Sequence, residues 1–230
     1  MGDLYSIIGN KNYSTWSLRG WLSAMHTGLV VQEINIELYT PGSKAKLLKY
    51  SPTGQVPALV HGDITVWDSL AIIDYCARLE PRQYWWPEDN AAYAFARSMS
   101  AEMHSGFMAL RTHAPMNIRA KWSGLTLSED VARDVARIDA LWSEAREKFG
   151  SKEQKNSGDF LFGDFSAADM MFAPVVYRFE TYGISVSPTA RAYMDAMLDY
   201  DLMQAWTHFA LKETAIIAAG EVPKGATHLG

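Results

Sequence analysis

Gln55-Val56-Pro57-Ala58-Leu59-Val60, continued at Trp67-Asp68-Ser69-Leu70-Ala71-Ile72-Ile73, is the stretch that decides the fold. The apolar run from Pro57 to Val60 predicts a short strand, His61-Gly62-Asp63 a tight turn, and Ile64 to Trp67 a second strand. Asp68 and Ser69 are N-cap residue types, and an apolar helical pattern opens right behind them. A hairpin feeding a helix N-terminus leaves free backbone N–H groups and a partial positive charge facing whatever anion lies there. Val56-Pro57 makes a further demand. Proline at the start of a strand removes a ladder donor, and a cis bond at this point turns the Val56 backbone outward.

Working outward toward the N-terminus, Leu4 to Ile8 reads as a strand that stops at Gly9-Asn10. A polar loop, Lys11-Asn12-Tyr13-Ser14-Thr15, follows. Trp16, Leu18, Trp21, Leu22 and Met25 then recur at helical spacing, with Gly28 placed as a C-terminal glycine. Val31 to Leu38 predicts the next strand. Strand, helix and strand in so short a span imply a right-handed parallel crossover. Thr40-Pro41-Gly42-Ser43 is a loop and Lys44 to Tyr50 a short helix before the hairpin; the helix after it runs from Ser69 to about Leu79. The order βαβαββα over residues 1–80 is that of a thioredoxin-like α/β domain.

Working outward toward the C-terminus, residues 81–89 read as a linker, with Pro81 and Pro87 in a stretch that holds no period. Trp85 and Trp86 there are expected to pack the linker rather than to form a ligand platform. Every periodic segment in 90–230 is helical, which predicts an all-α C-terminal domain. One helix is expected from Asn90 to about Arg111, ended by Pro115. A second opens at Ser128 and carries Val131, Val135, Ile138, Trp142, Ala145 and Phe149 on one stripe, with Gly150 at its stop. A polar loop spans 151–159. Phe165-Ser166-Ala167-Ala168-Asp169-Met170 is a capping box with a hydrophobic staple, and its role is folding rather than chemistry. Pro174 suggests a bend in that helix. Ser187-Pro188 starts another helix, Leu202 to Ala219 a last one, and 220–230 reads as a frayed tail.

Composition narrows the classes. The 230 residues are 48% hydrophobic and 20% charged with a net charge of −5, an ordinary globular balance that argues against a nucleic-acid or anionic-membrane surface. No apolar run reaches the length of a membrane span, and no signal-peptide pattern opens the chain. The one cysteine, Cys76, excludes an intrachain disulfide and Cys-x-x-Cys redox chemistry; a reducing, cytoplasmic setting is expected. Cys76 falls on an apolar helix face, as a small buried hydrophobe does. The six histidines show no metal-ligand spacing, so no metal is expected.

The combination Gln-Val-Pro-Ala-Leu, hairpin, then Asp68-Ser69-x-Ala71-Ile72-x-x-Tyr75 resembles the glutathione-binding half of the soluble glutathione transferases. The Ser166/Asp169 capping box resembles the one that starts the central helix of that family. The resemblance covers nearly the whole chain. It implies glutathione as co-substrate, with the Val56 backbone pairing the cysteinyl backbone ahead of cis Pro57, and Asp68 and Ser69 gripping the γ-glutamyl end. The family more often has Glu where this chain has Asp68. Gln55 sits where the family often has Lys or Gln beside the glycyl end, and Lys44 is a candidate for the glycine carboxylate. A homodimer is implied as well; a solution mass equal to one chain at micromolar concentration would refute it.

A free thiol, with a pKa of roughly 8.5, is mostly protonated at neutral pH. A transferase must therefore hold the sulfur near a donor and a helix N-terminus, and the loop Asn10 to Ser17 is that place. The loop is most similar to a bacterial serine-type group, near the theta, zeta and tau classes. Ungapped alignment back from Arg19-Gly20-Trp21-Leu22 places Asn12 where their serine lies. Ser14 is the first choice as thiolate donor, Asn12 the second, then Tyr13 and Ser17; Ser14 is also a natural N-cap. No cysteine occupies the loop, which favours attack by bound glutathione thiolate over disulfide exchange.

Trp16 and Trp21 are expected in the core. The pocket for a small, mostly apolar electrophile is expected between the domains, facing Tyr13 and the Met99, Met103, Phe107, Arg111 side of the long helix. Three functions stay open: a transferase; a glutathione-dependent isomerase of the zeta type, which would need basic pocket residues such as Arg111 or Arg178; and a non-catalytic binder or structural protein that keeps the fold.

Overall fold

Strand β1 (Leu4–Ile8) crosses through helix α1 (Thr15–His26) to β2 (Val31–Asn35), and the pair is parallel with Leu4 opposite Val31 and Ile8 opposite Asn35. Short α2 (Ser43–Leu47) leads to the hairpin β3 (Ala58–His61) and β4 (Ile64–Trp67), then to α3 (Ser69–Leu79). The sheet order is β2-β1-β3-β4, with β3 antiparallel to both neighbours. The computed structural model describes residues 3–150, 159–221 and 227–228. Most of the polar loop expected over 151–159, and part of the tail expected over 220–230, lie outside the described residues.

The α/β half is thioredoxin-like, as its element order predicts. The second strand is shorter than its apolar pattern. The last parallel bond runs from Ile36 N–H to the Ile8 carbonyl at 2.9 Å, and the Leu38 N–H turns instead to Asn10 Oδ1 at 2.9 Å. One face of the sheet carries Leu4, Ile8 and Leu59 against α1 and α3; the other carries Ile7 and Ala58 against Ile36 and Leu47. Cys76 is fully buried, and burial pushes its thiol up to about 12, so it is inert packing. Gly20 of α1 lies so close to the hairpin that a Cβ there would stand 2.6 Å from Pro57 Cβ. Glycine there leaves room for the Pro57 ring to lie directly against the α1 backbone.

The helical half contains α4 (Asn90–Ser105), α5 (Met108–His113), α6 (Glu129–Phe149), α7 (Ala167–Tyr182), α8 (Pro188–Asp199) and α9 (Asp201–Ala210). A two-stranded ribbon pairs β5 (Trp122–Ser123) with β6 (Thr227–His228). Two expected helices differ. The helix expected from Asn90 to Arg111 breaks at Gly106, and Phe107 takes φ +60°. Side chains from later in the chain take the freed backbone groups. Arg111 donates to the Gly106 carbonyl at 2.9 Å and to the Met103 carbonyl, while Asp134 Oδ2 accepts the Leu110 N–H at 2.9 Å. The helix expected from Leu202 to Ala219 stops at Ala210; a 3-10 turn at Ala218–Gly220 follows, and Gly220 is buried. The segment through Glu221 is therefore packed rather than frayed.

Helix α7 is the centre of the molecule. It is buried along nearly its whole length, with Pro174 inside it. Trp142 of α6 packs on Phe172 and Phe179 of this helix and on Tyr193 of α8, each such side chain worth about 1.5–3 kcal/mol of transfer free energy on burial. Arg19 Nε of α1 donates to the Met171 carbonyl at 2.8 Å, and Trp85 in the linker donates to the Glu80 carbonyl at 3.0 Å, so both halves and the linker share one apolar cluster.

The capping box forms as its sequence predicts. Asp169 Oδ2 accepts the Ser166 N–H at 2.9 Å and hydroxyl at 2.8 Å, and Oδ1 accepts the Leu161 N–H at 3.2 Å. Asp169→Ala leaves two buried N–H groups without an acceptor, and we expect urea unfolding to show a loss of about 2–4 kcal/mol. Burial also pushes the Asp169 carboxyl up to about 6 from an ordinary 3.8. The folded state then holds this proton more tightly than the unfolded one. Its contribution favours folding below about pH 4 and is lost as pH rises to about 6. The stability of the wild type relative to Asp169→Asn is expected to fall over that window, measured by urea unfolding at a series of pH values.

Candidate functional site

Two adjoining cavities run along the junction of the halves, of about 620 and 470 Å³, and both are lined by Trp16, Gln55 and Val56. They form one cleft. Its wider end holds Tyr13 and Ser14; its narrower end holds Pro57, Trp67, Asp68, Ser69 and His104.

The narrow end is built by the hairpin-to-helix turn. The Val56-Pro57 bond is cis, and Val56 stands outside the ladder, whose register opens at Ala58 opposite Trp67. Asp68 caps α3 with φ +75°, and its Oδ1 accepts the Leu70 N–H at 2.9 Å. Its other oxygen lies 3.3 Å from His104 Nε2, on α4. Ser69 is 1% exposed, and its Oγ has no hydrogen-bond partner among the described residues. A buried hydroxyl left unpaired costs about 1–3 kcal/mol, which a polar ligand in this cavity would recover.

The wide end is built by the loop before α1. Ser14 is the N-cap: its Oγ accepts the Ser17 N–H at 3.3 Å and donates to Ser17 Oγ at 2.7 Å. Ser17 Oγ also accepts the Gly9 N–H at 2.9 Å and is itself fully buried. Asn12 does not face the cleft. It is 0% exposed, its Nδ2 donates to Asn117 at 2.8 Å and its Oδ1 accepts the Arg119 N–H at 2.8 Å, so both ends of the amide are spent. Its alignment with the serine of the serine-type classes therefore does not carry the serine's position.

Tyr13 does reach the cleft, but its hydroxyl donates to Glu221 and accepts from Arg119 Nη2 at 2.7 Å. Burial, then the Glu221 carboxylate, holds its pKa above the ordinary tyrosine value, which makes it a poor source of a proton for a sulfur. Lys44 lines the wide end and already donates to the carbonyls of Thr53 at 2.7 Å and Gly54 at 3.1 Å.

The far wall of the wide end differs from expectation. Met99 and Met103 are core residues, each 1% exposed, and Phe107 is buried too. The wall comes instead from Pro115, Met116, Ile217, Ala219 and Gly220. Trp16 is not core: it is half-buried between the two ends of the cleft, with Arg19 and Arg111 guanidinium carbons 4.6 and 4.9 Å from its ring centroid and His104 edge-on at 5.3 Å. At 100° per residue Trp16 lies about 170° from the mean direction of Leu18, Trp21, Leu22 and Met25, a legible sign that it leaves their stripe. Trp21 is in the core, as expected. His104, across the linker from Asp68 on α4, had no such sign. Among the described residues, no cluster of three or more His, Cys, Asp or Glu could hold a metal ion, and no helix is long and apolar enough to cross a membrane.

Two family models match the chain: the glutathione S-transferase N-terminal domain over residues 13–79 and the glutathione S-transferase C-terminal domain over 128–209. Among curated proteins, the chain is 24% identical over 158 residues to a probable maleylacetoacetate isomerase of Caenorhabditis elegans, covering 66% of this chain and 69% of that one. It is 27% identical over 162 residues to glutathione S-transferase 1 of Dianthus caryophyllus, covering 67% and 69%. Among solved structures, a glutathione transferase homolog from Burkholderia with bound glutathione aligns at a TM-score of 0.66 with 20% identity, covering 90% of this chain and 98% of that one. Human glutathione-S-transferase T1-1 in its apo form aligns at 0.61 with 22% identity, covering 96% and 92%. At those identities the structural likeness speaks for the fold. The two family models, one in each half and in the expected order, place the chain in the glutathione S-transferase family.

Proposed function

We propose that this chain is a glutathione transferase that ionises the glutathione thiol for attack on a small, uncharged, mostly apolar electrophile. The observation that carries the reading is the cleft itself. One cavity system joins the unpaired Ser69 hydroxyl, the Asp68 carboxylate, the free-standing Val56 peptide and the Ser14 hydroxyl in that order. Glutathione supplies the nucleophilic sulfur. Asp68 and Ser69 hold its γ-glutamyl end, Val56 pairs its cysteinyl backbone, and Gln55 and the remaining donor of Lys44 face its glycyl carboxylate. Ser14 then donates to the sulfur at the N-terminus of α1, where the helix field favours a thiolate. The homodimer and the cytoplasmic setting implied by the family belong to the same proposal.

The electrophile class follows from the walls. Tyr13, Trp16, Pro115, Met116 and Ile217 present rings and methylenes, and among the described residues Lys44 is the one Lys or Arg lining the wide end. The isomerase alternative draws on the names of relatives, including the probable maleylacetoacetate isomerase. Arg178 donates to the carbonyls of Arg111 and Ala114, Arg111 to those of Gly106 and Met103, and neither lines the cleft. Among the described residues, a substrate carboxylate would therefore find only Lys44, which the glycyl carboxylate of glutathione already claims. Turnover with glutathione is the test: an activated aryl chloride is expected to be consumed at least about 10-fold faster than a dicarbonyl acid isomerises. The opposite ranking would favour the isomerase, and binding with neither reaction would leave a non-catalytic binder.

A further inference from the structure

Four consecutive N–H groups of the thiol loop, at Lys11, Asn12, Tyr13 and Ser14, divide into two pairs. Tyr13 and Ser14 donate to the Asn10 carbonyl at 3.2 and 2.8 Å, within the loop. Lys11 and Asn12 donate to the two oxygens of one carboxylate, Glu213, at 2.7 and 3.0 Å. That residue lies past the end of α9, in the stretch the sequence pattern assigns to a helix. Arg119 fixes it in turn, donating to the carbonyls of Glu213 and Ala215 and to the Tyr13 hydroxyl, while its own N–H binds Asn12 Oδ1. Asn35 Nδ2 stands 3.4 Å from Glu213 Oε1, and Trp206 donates to the Lys11 carbonyl at 3.0 Å. The Lys11 ammonium pairs with Glu33 at 2.6 Å beside the rings of Trp21, Trp206 and Phe209. Further along the same segment, Gly220 sits against the Tyr13 ring, where a Cβ would meet Cδ1 at 2.6 Å.

We propose that Glu213 is a positioning residue for the thiol chemistry: its carboxylate, on a backbone that Arg119 holds by the Glu213 and Ala215 carbonyls, sets the loop geometry that presents Ser14 to the glutathione sulfur. The inference rests on the reading of this loop as the thiol site. A carboxylate suits the task because each oxygen accepts one of two neighbouring N–H groups that no other partner reaches. The γ-glutamyl end of the cleft is built by the hairpin, the Asp68-Ser69 cap of α3, Trp16 and His104 of α4, and none of these is among the hydrogen-bond partners of the Glu213 carboxylate, which are Lys11, Asn12 and Asn35. Glutathione affinity and thiol ionisation are consequently separable, and Glu213 acts on the second.

Glu213→Ala is therefore expected to lower kcat at least about 10-fold and to raise the apparent thiol pKa of bound glutathione, with its Kd within about 3-fold of wild type. Glu213→Gln, which keeps one acceptor, is expected to fall between. Unchanged kcat and thiol pKa in a folded Glu213→Ala overturn the proposal, as does a Kd that worsens in step with kcat. If the alanine variant does not fold, amide hydrogen exchange on the wild type decides. Lys11 and Asn12 amides protected at least about 100-fold support the clamp, and exchange at free-peptide rates overturns it. If wild-type protein ionises no glutathione, the transferase reading fails, and the exchange experiment still judges the clamp by itself.

Discussion

Ser14→Ala is expected to raise the apparent pKa of the bound glutathione thiol by about 1–2 units, the worth of a hydrogen bond to a charged acceptor of roughly 1.5–3 kcal/mol. At about pH 6.5 this appears as a 10- to 100-fold loss of kcat/KM, shrinking above the free-thiol pKa, where the sulfur ionises unaided. The geometry shows how Ser14 can serve two roles. Capping α1 uses its lone pair, through the Ser17 N–H, and leaves its proton free to move. That proton points at Ser17 Oγ at 2.7 Å. When Ser14 turns it to the sulfur, Ser17 can reverse the same contact and donate back, while still accepting the Gly9 N–H. No buried group is orphaned by the switch. Ser14→Thr, which keeps hydroxyl and cap, is expected to stay near wild type. A pH–rate profile of Ser14→Ala that overlays the wild type would remove Ser14 from the chemistry; its loss as a cap should cost only about 1 kcal/mol of stability.

Asp68→Asn is expected to raise KM for glutathione about 30- to 100-fold with little change in kcat. The substitution keeps the acceptor oxygen for the Leu70 N–H and a side chain that tolerates positive φ, but it removes the charge. It therefore isolates the attraction for the γ-glutamyl ammonium group, a charge-assisted contact in a partly closed cavity. Asp68→Ala would confound that loss with the cap and with a backbone angle alanine resists. The Asp68–His104 contact spans the two halves of the molecule, and the asparagine amide keeps a hydrogen-bonding group facing His104 Nε2, so the contact is retained while the charge is lost. A folded Asp68→Asn with unchanged KM would remove the carboxylate from the binding site.

What the chain shows of this fold is what its neighbours in sequence decide. Pro57 to Ile73 builds hairpin, turn and helix cap from residues a few positions apart, and each element stands where its pattern puts it. The same holds for Ser166 with Asp169 and for Ser187 with Pro188. The misread places answer to distant partners. The long helix breaks at Gly106, a glycine that could have marked a helix end; Arg111, five residues on, takes its carbonyl, and the distant Asp134 takes the Leu110 N–H. Helix α9 stops at Ala210, and three residues on Glu213 accepts from donors 202 and 201 residues earlier, at Lys11 and Asn12. In the candidate site, Val56, Asp68 and Ser69 were legible as a turn with a capped helix. The burial of the Asn12 amide against Asn117 and Arg119, and the approach of His104 to Asp68, come from packing one half on the other. The electrophile wall at Pro115, Met116 and Ile217 carries no motif, because apolar side chains at a junction look like core until the junction is seen.

The central claim is that bound glutathione is ionised in this cleft, and an ultraviolet difference titration with glutathione across pH tests it most directly. The account predicts saturable binding and a thiolate band that appears about 2 units below the free thiol's pKa of roughly 8.5, and that moves back toward it in Ser14→Ala. Saturable binding with the band at the free-thiol pKa would contradict thiolate activation and leave a glutathione-binding protein of this fold. No binding at millimolar glutathione would contradict the site itself.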